Sequence, residues 1–518
     1  MSVRRATQPT ALLVPAFAVV AGVLVPLVYL VLRAGEAEWD ELRALVWRGR
    51  TLRLLGNTLA LSAGVLVVST ALALPLAWLA TRADFPGRRW VTLLGVLPLT
   101  MPAYVMAYVL LASTGGTGTL AQVFGVHVPR VSGYPGALLA LGLTTFPYLF
   151  LNLRSAFQGL DPALEESARS LGQSAGRTFV RIVLPQLRPA FYAGALLILL
   201  HVLGDFGVVS LVRFETFSFA IYLQYSAAYD RIYAAWLALM LLGLTGGTLW
   251  LEARLLRGRV FHRSDSGSAK RVRRVSLGRW TLPVYVFLSV LVMSCFVLPA
   301  ITLSYWLDIG TATSLSKIGE ALGRSVMASL PAAVLAGVFA LPLAYLSVRY
   351  ASKLTRGIER VAYLGYATPP LAFALAYVFF TLRAVPVLYQ TLTLLVIGYT
   401  LHFLAEGLGP VRSAMYQAPP RLEEAARSLG RRAFPAFMMV TFPLVRRGVL
   451  AGSALVFLSA MKELPITFLL APVGYQTLAL GVWSATREAV FDIAAPYALV
   501  LIVFSAGFVG LVLAERGR

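Results

Sequence analysis

Long, nearly uninterrupted apolar runs are the feature that most restricts what this chain can fold into. The first is ALLVPAFAVVAGVLVPLVYLVL, from Ala11 to Leu32, and it exceeds the ~18 apolar residues that indicate a bilayer-spanning helix. In lipid every backbone polar group must be hydrogen-bonded within the structure, so such runs form helices unless the chain closes into a barrel. A barrel would show alternating segments of ~10 residues, which this sequence lacks. The pattern predicts an all-α polytopic membrane protein.

Twelve such runs divide evenly around one polar, basic stretch. Arg254 to Arg279 contains SDSGS and is too polar to enter a membrane. We therefore predict a first membrane module over residues 1–256, a cytoplasmic linker over 257–280 and a second module over 281–518. The predicted spans are 10–33, 57–81, 91–113, 134–153, 189–212, 233–256, 281–305, 324–347, 360–382, 388–408, 447–470 and 491–514.

The placement of basic residues predicts an orientation. A formal net charge of +22 would suggest nucleic-acid binding in a soluble protein. However, the chain is 58% hydrophobic, and most of its 45 Lys and Arg fall in alternate loops on one side of the predicted membrane. This positive-inside bias predicts both termini in the cytoplasm and no nucleic-acid partner. The basic residues of these loops include Arg88, Arg89, Arg181, Arg271, Arg273, Arg274, Arg431 and Arg432.

The two predicted modules are a direct repeat. Leu164 to Pro185 reads LEESARSLGQSAGRTFVRIVLP, and LEEAARSLGRRAFPAFMMVTFP follows from Leu422 to Pro443, 258 positions later. LALPLAWLATR, ending at Arg82, similarly resembles FALPLAYLSVR. Because each module has an even number of spans, the copies share one orientation in the membrane. We expect two parallel six-helix repeats.

The repeated stretch predicts a helix, a turn and a second short helix on the basic side. In the first copy, Asp161 and Pro162 are typical of an N-cap and a first helical residue. Glu165 and Glu166 then lie where the helix dipole favours negative charge, and Gly172 ends the helix in the left-handed conformation. An amphipathic helix lying in the membrane interface is the simpler alternative, but it does not predict two copies with matching glycine and proline.

Glu166-Ser167-Ala168, Gly172 and Ile182-Val183-Leu184-Pro185 together resemble the EAA loop of ABC importer permeases, EAA–x3–G–x9–I–x–LP. The second copy keeps this spacing with Val440 and Phe442 at the Ile and Leu positions. The resemblance covers the whole chain and implies a type I ABC importer transmembrane fold. It implies EAA loops over 161–188 and 419–446 that couple to two copies of a separate ATPase subunit. The residues implied in coupling are Glu165, Glu166, Ala168, Gly172, Pro185, Glu423, Glu424, Ala426, Gly430 and Pro443.

The energy source is expected in a partner. The chain has no GxxxxGK[ST] sequence to hold a nucleotide phosphate, so we expect no catalytic residue and no bound cofactor here, with ATP and Mg used by the partner ATPase. The resemblance also implies a periplasmic or lipid-anchored substrate-binding protein and a multi-pass location, among lipid, in the bacterial inner membrane. A proton-coupled secondary transporter with twelve helices is the alternative, although it would not need twin EAA loops.

Two acidic residues occupy equivalent places in the repeat. Asp205 and Glu463 are 258 positions apart and fall within predicted spans, where ionisable groups are costly and often functional. Carboxylate oxygens suit a hard cation, so both are candidates for the translocation path and for transient metal ligands. His201, one turn before Asp205, is a further path candidate. The alternative is a structural role, with Lys462 neutralising Glu463.

His402 and Glu406 form a second i, i+4 pair near the cytoplasmic end of a span. Their counterparts in the first module are Thr144 and Tyr148, which cannot repeat the same chemistry. We therefore predict a structural hydrogen bond between His402 and Glu406. The single cysteine, Cys295, allows neither an internal disulfide nor a thiolate metal cluster.

The substrate is suggested by resemblance alone. GDFG with ETFSFAIY, within Gly204 to Tyr222, and MKELPITFLLAPVGYQTLALGVW, from Met461 to Trp483, resemble segments of fused ferric-ion importer permeases. The resemblance implies transport of ferric iron. Thiamine permeases share the fused layout and are the main alternative. Polyamine and phosphonate systems are lower-ranked alternatives.

Overall fold

The computed structural model describes residues 10–36, 38–226, 230–256, 274–310 and 315–516. In the first half the elements are α1 (Thr10–Ala34), α2 (Trp39–Val46), α3 (Gly49–Arg82), β1 (Ala83–Asp84), α4 (Arg88–Val96), α5 (Ala103–Ser113), α6 (Thr119–Phe124), α7 (Gly133–Gly159), α8 (Pro162–Ser170), α9 (Ala175–Thr178), α10 (Leu184–Gly204), α11 (Gly207–Leu211), α12 (Phe217–Ser226) and α13 (Arg231–Leu256).

The second half repeats the order of the longer helices. Its elements are β2 (Val275–Ser276), α14 (Thr281–Val292), α15 (Leu298–Ile309), α16 (Leu315–Arg349), α17 (Lys353–Ala367), α18 (Pro370–Ala384), α19 (Leu392–Gln417), α20 (Pro420–Ser428), α21 (Ala433–Ala436), α22 (Phe442–Met461), α23 (Pro465–Leu470), α24 (Leu478–Arg487) and α25 (Phe491–Arg516). Short π-helical turns join α9 to α10 at Phe179–Val183, α14 to α15 at Met293–Val297, and α21 to α22 at Phe437–Thr441.

The helices confirm the predicted fold class. Among the described residues, nine helices are long and apolar enough to cross a membrane, and two more spans are pairs of helices joined at a sharp bend. A further apolar helix, Phe491–Gly507, lies within α25. Each of the twelve predicted spans coincides with one of these. The protein is an all-α polytopic membrane protein built from two repeats.

Two spans predicted as straight are bent. The span 91–113 consists of α4 and α5, which meet at 92°, and 360–382 consists of α17 and α18, which meet at 105°. Both bends fall at a proline, Pro102 and Pro369, that takes an extended backbone just before the next helix. Proline disfavours the helical conformation in the residue before it and cannot donate to the preceding turn, so each helix ends there.

Two other predicted spans are each interrupted before their C-terminal end. Residues 189–212 and 447–470 were predicted as continuous spans, but α10 ends at Gly204 and α22 ends at Met461. After each break a short helix begins, α11 in the first half and α23 in the second. Short polar stretches, Gly204-Asp205 and Lys462-Glu463, lie at these breaks, but they are too brief to divide the long apolar runs around them.

The first spans of the two modules tie the halves together. Helix α1 packs against α17 and α18 of the second half, and the hydroxyl of Tyr377 donates to the carbonyl of Gly22 at 2.7 Å. Helix α15 packs against α5 of the first half, where the Trp306 indole donates to the carbonyl of Ala112 at 3.2 Å. Each half therefore contributes a helix to the other's surface.

The end of the predicted linker is held on the first half. Strands β1 and β2 pair in parallel, with Ala83 opposite Val275 and Asp84 opposite Ser276. The hydroxyl of Tyr285 also donates to the carbonyl of Pro86 at 3.0 Å. The rest of the linker, with Arg271 and Arg273, lies outside the described residues, as do both chain termini, so the module boundaries and the orientation remain predictions.

Candidate functional site

The two copies of the repeated stretch have the predicted helix–turn geometry. Gly172 has a φ of 80° and Gly430 a φ of 86°, the left-handed region that favours glycine. The N–H of Gln173 donates to the carbonyl of Ala168 at 3.1 Å, and that of Arg431 donates to Ala426 at 3.2 Å. These bonds close the last turn of α8 and α20 in the same way, because both glycines supply the same turn.

The starts of the two helices differ. As predicted, the side chain of Asp161 accepts the N–H of Ala163 at 2.9 Å and caps α8. The corresponding residue before α20 is Pro419, which has no side-chain cap. Pro185 and Pro443 lie in the first turns of α10 and α22, where the missing N–H needs no partner.

Each of these helices presents an exposed surface. Glu166 and Glu424 are exposed, and the leucines that end the helices, Leu171 and Leu429, are 84% and 85% exposed. Ala168, in contrast, is buried. An exposed apolar residue next to acidic side chains at equivalent places in both halves is suited to docking a repeated or dimeric partner.

The remaining glutamate of each helix points into the protein, and its partners differ between the halves. Glu165 forms an ion pair with Arg82 of α3 at 3.0 Å. Glu423 instead accepts hydrogen bonds from Tyr345 of α16 at 2.7 Å and from Thr441 at 2.6 Å. The helix α8 is thus linked to α3 by opposite charges, and α20 to α16 by hydroxyl groups.

A cavity of about 250 Å³ lies between the halves. Asp205, His201 and Glu463, the three predicted path residues, all line it. Helices α7 and α10 of the first half and α19 and α22 of the second contribute its walls. Its other polar lining residues are Tyr104, Thr144, Tyr148, Tyr366, Thr368, His402, Glu406, Ser459 and Lys462.

Asp205 and Glu463, which occupy equivalent positions in the repeat, lie at the two helix breaks. The side chain of Asp205 accepts the N–H groups of Val208 at 3.0 Å and Val209 at 3.3 Å. That of Glu463 accepts the N–H of Ile466 at 3.1 Å. Each carboxylate therefore caps the helix that follows it, an arrangement that stabilises negative charge where a membrane protein would otherwise have to avoid it.

Lys462 does not form the ion pair with Glu463 that the structural alternative required. None of the ion pairs found between described residues includes Lys462. His201 has an exposed face in the cavity, with its ring 5.7 Å from that of Tyr148. The described residues contain no group of three or more His, Cys, Asp or Glu side chains that could hold a metal ion, so the transient metal role of Asp205 and Glu463 stays a prediction.

The predicted hydrogen bond between His402 and Glu406 is wrong. Glu406 accepts a hydrogen bond from Ser459 of the neighbouring helix at 2.6 Å. His402 is buried, its Nδ1 has no hydrogen-bond partner, and aromatic rings surround it, with that of Phe403 at 4.9 Å. The i, i+4 spacing places both side chains at the cavity. The carboxylate of Glu406, however, accepts its hydrogen bond from Ser459 and not from His402.

An aromatic cluster of Phe206, Tyr222, Phe468 and Trp483 joins the two halves, and Phe206 of this cluster lines the cavity. Ring centroids of Phe206 and Tyr222 are 5.1 Å apart, and those of Phe468 and Trp483 are 5.3 Å apart. The Trp483 indole donates to the hydroxyl of Ser210 at 2.9 Å across the halves.

Sequence reasoning missed this aromatic cluster. Phe206 corresponds to Leu464 in the repeat, and Trp483 corresponds to Tyr225. Its members are therefore not equivalent residues, and a comparison of the two copies could not bring them together. The only signal was that all four lie within the two segments that resemble ferric-ion permeases.

Comparison with protein families gives a match in each half. A family model described as the inner membrane component of binding-protein-dependent transport systems matches residues 73–257 and 329–516. One match therefore falls in each half of the chain.

Individual relatives cover nearly the whole chain. The Fe(3+)-transport system permease protein FbpB 2 of Haemophilus influenzae is 34% identical over 486 residues, 93% of this chain and 93% of that protein. The ferric transport system permease protein FbpB of Actinobacillus pleuropneumoniae is 22% identical over 90% of this chain and 71% of its own length. The molybdenum transport system permease protein ModB of Escherichia coli is 36% identical, but over 25% of this chain and 58% of its own length.

Proposed function

Since the chain belongs to the family of binding-protein-dependent transport system inner membrane components, we propose that it is the permease subunit of an ATP-driven importer of ferric iron. Because the chain belongs to this family, we no longer consider the alternative of a proton-coupled secondary transporter. The observation that carries the iron proposal is the cavity between the halves, in which Asp205 and Glu463 come together. Oxygen ligands suit a hard cation, and the relative similar over 93% of both chains is named for Fe(3+) transport.

We propose that the segments around α8 and α20 couple this chain to two copies of a separate ATPase, which binds ATP and Mg. Their exposed surfaces, with Glu166 and Leu171 in one half and Glu424 and Leu429 in the other, are equivalent. A dimeric partner would meet the same surface twice. We place these segments and both termini on the cytoplasmic side of the inner membrane, on the basis of the positive-inside bias. A periplasmic or lipid-anchored binding protein would deliver the substrate to the opposite face.

The proposed cycle is alternating access around the central cavity. The aromatic cluster joins the two halves beside the cavity, through Phe206, which lines it, and we assign to this cluster the role of the outer gate. Docking of the loaded binding protein and closure of the ATPase would separate Phe206 and Tyr222 from Phe468 and Trp483. The carboxylates would then be reached from outside, and return of the ATPase would restore the present state. The permease performs no covalent chemistry in this cycle.

The test is uptake of labelled ferric iron against labelled thiamine in vesicles that contain this chain with its ATPase and binding protein. We expect ATP-dependent iron uptake, lowered about tenfold by Asp205→Asn and by Glu463→Gln, because each removes one charge from the path. Uptake of thiamine alone would overturn the iron proposal and keep the ATP-driven permease. Wild-type iron uptake in the double variant would make both acids structural caps.

A further inference from the structure

Three carboxylates and one ammonium group line the central cavity. The acids are Asp205, Glu406 and Glu463, and the base is Lys462. Asp205 and Glu463 are equivalent in the repeat, but Lys462 is not repeated, because its counterpart is Gly204. A charged lysine in a membrane cavity is costly, so its presence in one half alone calls for a physical reason.

Lys462 is not needed to satisfy any of the three acids. Backbone N–H groups bind Asp205 and Glu463, and the hydroxyl of Ser459 binds Glu406. None of the ion pairs within 4.0 Å between described residues includes Lys462. Lys462 therefore lines the cavity together with the acids without forming an ion pair with any of them.

The backbone of Lys462 is held by a residue of the other half. The hydroxyl of Tyr104, from the first half, donates to the carbonyl of Lys462 at 3.2 Å. This contact holds the start of the side chain at the interface of the halves, and the four-carbon stem of a lysine is flexible. Lys462, Glu406 and His201 all line the same cavity.

The cavity also contains a polar group that no protein atom satisfies. His402 is 2% exposed and lines the cavity, and its Nδ1 has no hydrogen-bond partner. A buried ring nitrogen without a partner costs free energy, and a bound ion with its water would supply that partner. This observation is independent of the acids and identifies a hydrogen-bond acceptor in the cavity that water or a bound ligand would satisfy.

We propose that Lys462 is a tethered counter-ion that offsets one negative charge of the empty cavity and is displaced when a trivalent cation enters. The inference rests on the proposed transport of ferric iron. With all three carboxylates ionised, the acids match a trivalent cation in charge, so the ammonium group leaves the occupied cavity with one positive charge in excess. That excess repels the cation and shortens its stay. Lys462 thus prevents the path from becoming a tight binding site.

The experiment measures Ga³⁺, a trivalent probe that is not reduced, retained by the permease–ATPase complex in nanodiscs after washing. Lys462→Met keeps the stem and removes the charge, and we expect it to retain at least ~10-fold more Ga³⁺ than the wild type. Lys462→Arg keeps the charge and is expected to behave as the wild type. Lys317→Met, at an exposed lysine of α16, is the matched control and should change nothing.

A second variant separates charge balance from structural damage. Lys462→Met combined with Glu406→Gln removes one charge of each sign, so Ga³⁺ retention should return toward the wild-type value. Equal retention by Lys462→Met and the wild type would overturn the inference, and so would high retention that the double variant does not lower. ATP-dependent iron uptake by the wild type is measured in parallel, and its failure would overturn the proposed function separately.

Discussion

The two coupling segments have nearly the same backbone but are attached to the membrane helices by different chemistry. In the first half, Glu165 of α8 pairs with Arg82, whose side chain is 9% exposed. In the second half, the counterpart of Arg82 is Arg349, and it donates to the carbonyl of Ala418 at 2.6 Å instead of pairing with Glu423. The carboxylate of Glu423 accepts hydrogen bonds from the hydroxyls of Tyr345 and Thr441.

The difference shows how a repeat can keep a geometry while its partners diverge. Trp78 and Val183 stand where the second half has Tyr345 and Thr441, so the first half has no hydroxyl groups to offer its glutamate. An arginine is the partner that remains. Loss of one partner from a buried ion pair leaves an uncompensated charge, whereas one of two hydrogen bonds can be lost with the other retained. The first attachment should therefore be the more vulnerable to a single substitution.

The largest effect should come from the feature that the two segments share. Gly172→Pro and Gly430→Pro force φ from 80° and 86° in the structure to about −65°. Each is expected to abolish ATP-dependent uptake while leaving membrane insertion intact, because the turn lies outside the membrane-spanning helices. Iron uptake and ATPase activity are measured in the same vesicles, and Gly176→Pro, in the short helix α9, controls for proline itself. Normal uptake in both glycine variants would remove the coupling assignment.

The attachment by charge should give the next largest effect. The side chain of Glu165 is 17% exposed, and Arg82→Met leaves its carboxylate without a positively charged partner. This substitution should destabilise the complex by about 3 kcal/mol. Arg349→Met removes a bond to a backbone carbonyl and should cost about 1 kcal/mol. Thermal unfolding of the complex in nanodiscs measures both losses of stability. In transport assays, the ratio of ATP hydrolysed to iron transported should rise more for Arg82→Met than for Arg349→Met. Equal losses would contradict the asymmetry between the segments.

Loss of a single hydroxyl group in the second half should have a smaller effect. Tyr345→Phe and Thr441→Val each remove one hydrogen bond to Glu423 and should cost about 1.5 kcal/mol, because the acceptor is charged. The double variant should cost more than the sum, since the carboxylate is then buried with neither partner. Thermal unfolding again provides the measurement. An additive double variant would show that water or another group replaces the hydroxyls.

Much of the candidate site could be predicted because the chain is a direct repeat. Asp205 and Glu463 were paired by sequence position alone, and the fold brings both to one cavity. The helix breaks beside them were not predicted, because one or two polar residues, Asp205 in one half and Lys462-Glu463 in the other, interrupt a long apolar run too briefly to indicate a break. The aromatic cluster and the attachments of Glu165 and Glu423 were missed for the opposite reason, since each depends on residues that differ between the copies.

The sharpest test of the comparison transfers one attachment from the second half to the first. Val183→Thr places a hydroxyl where Thr441 stands, next to Glu165, whose Oε1 pairs with Nη2 of Arg82 at 3.0 Å in a geometry that makes no hydrogen bond. Burying an unpaired hydroxyl usually costs about 1–3 kcal/mol, but here the carboxylate can accept it, so the expected change is near zero. Val445→Thr, at a fully buried valine of α22, is the matched control and should show the usual cost. In the Arg82→Met background, Val183→Thr should restore part of the lost stability, because the new hydroxyl is then the only side-chain donor to Glu165. Equal destabilisation by both threonines would mean that the backbone of the first segment, and not the missing hydroxyl, determines how its glutamate is held.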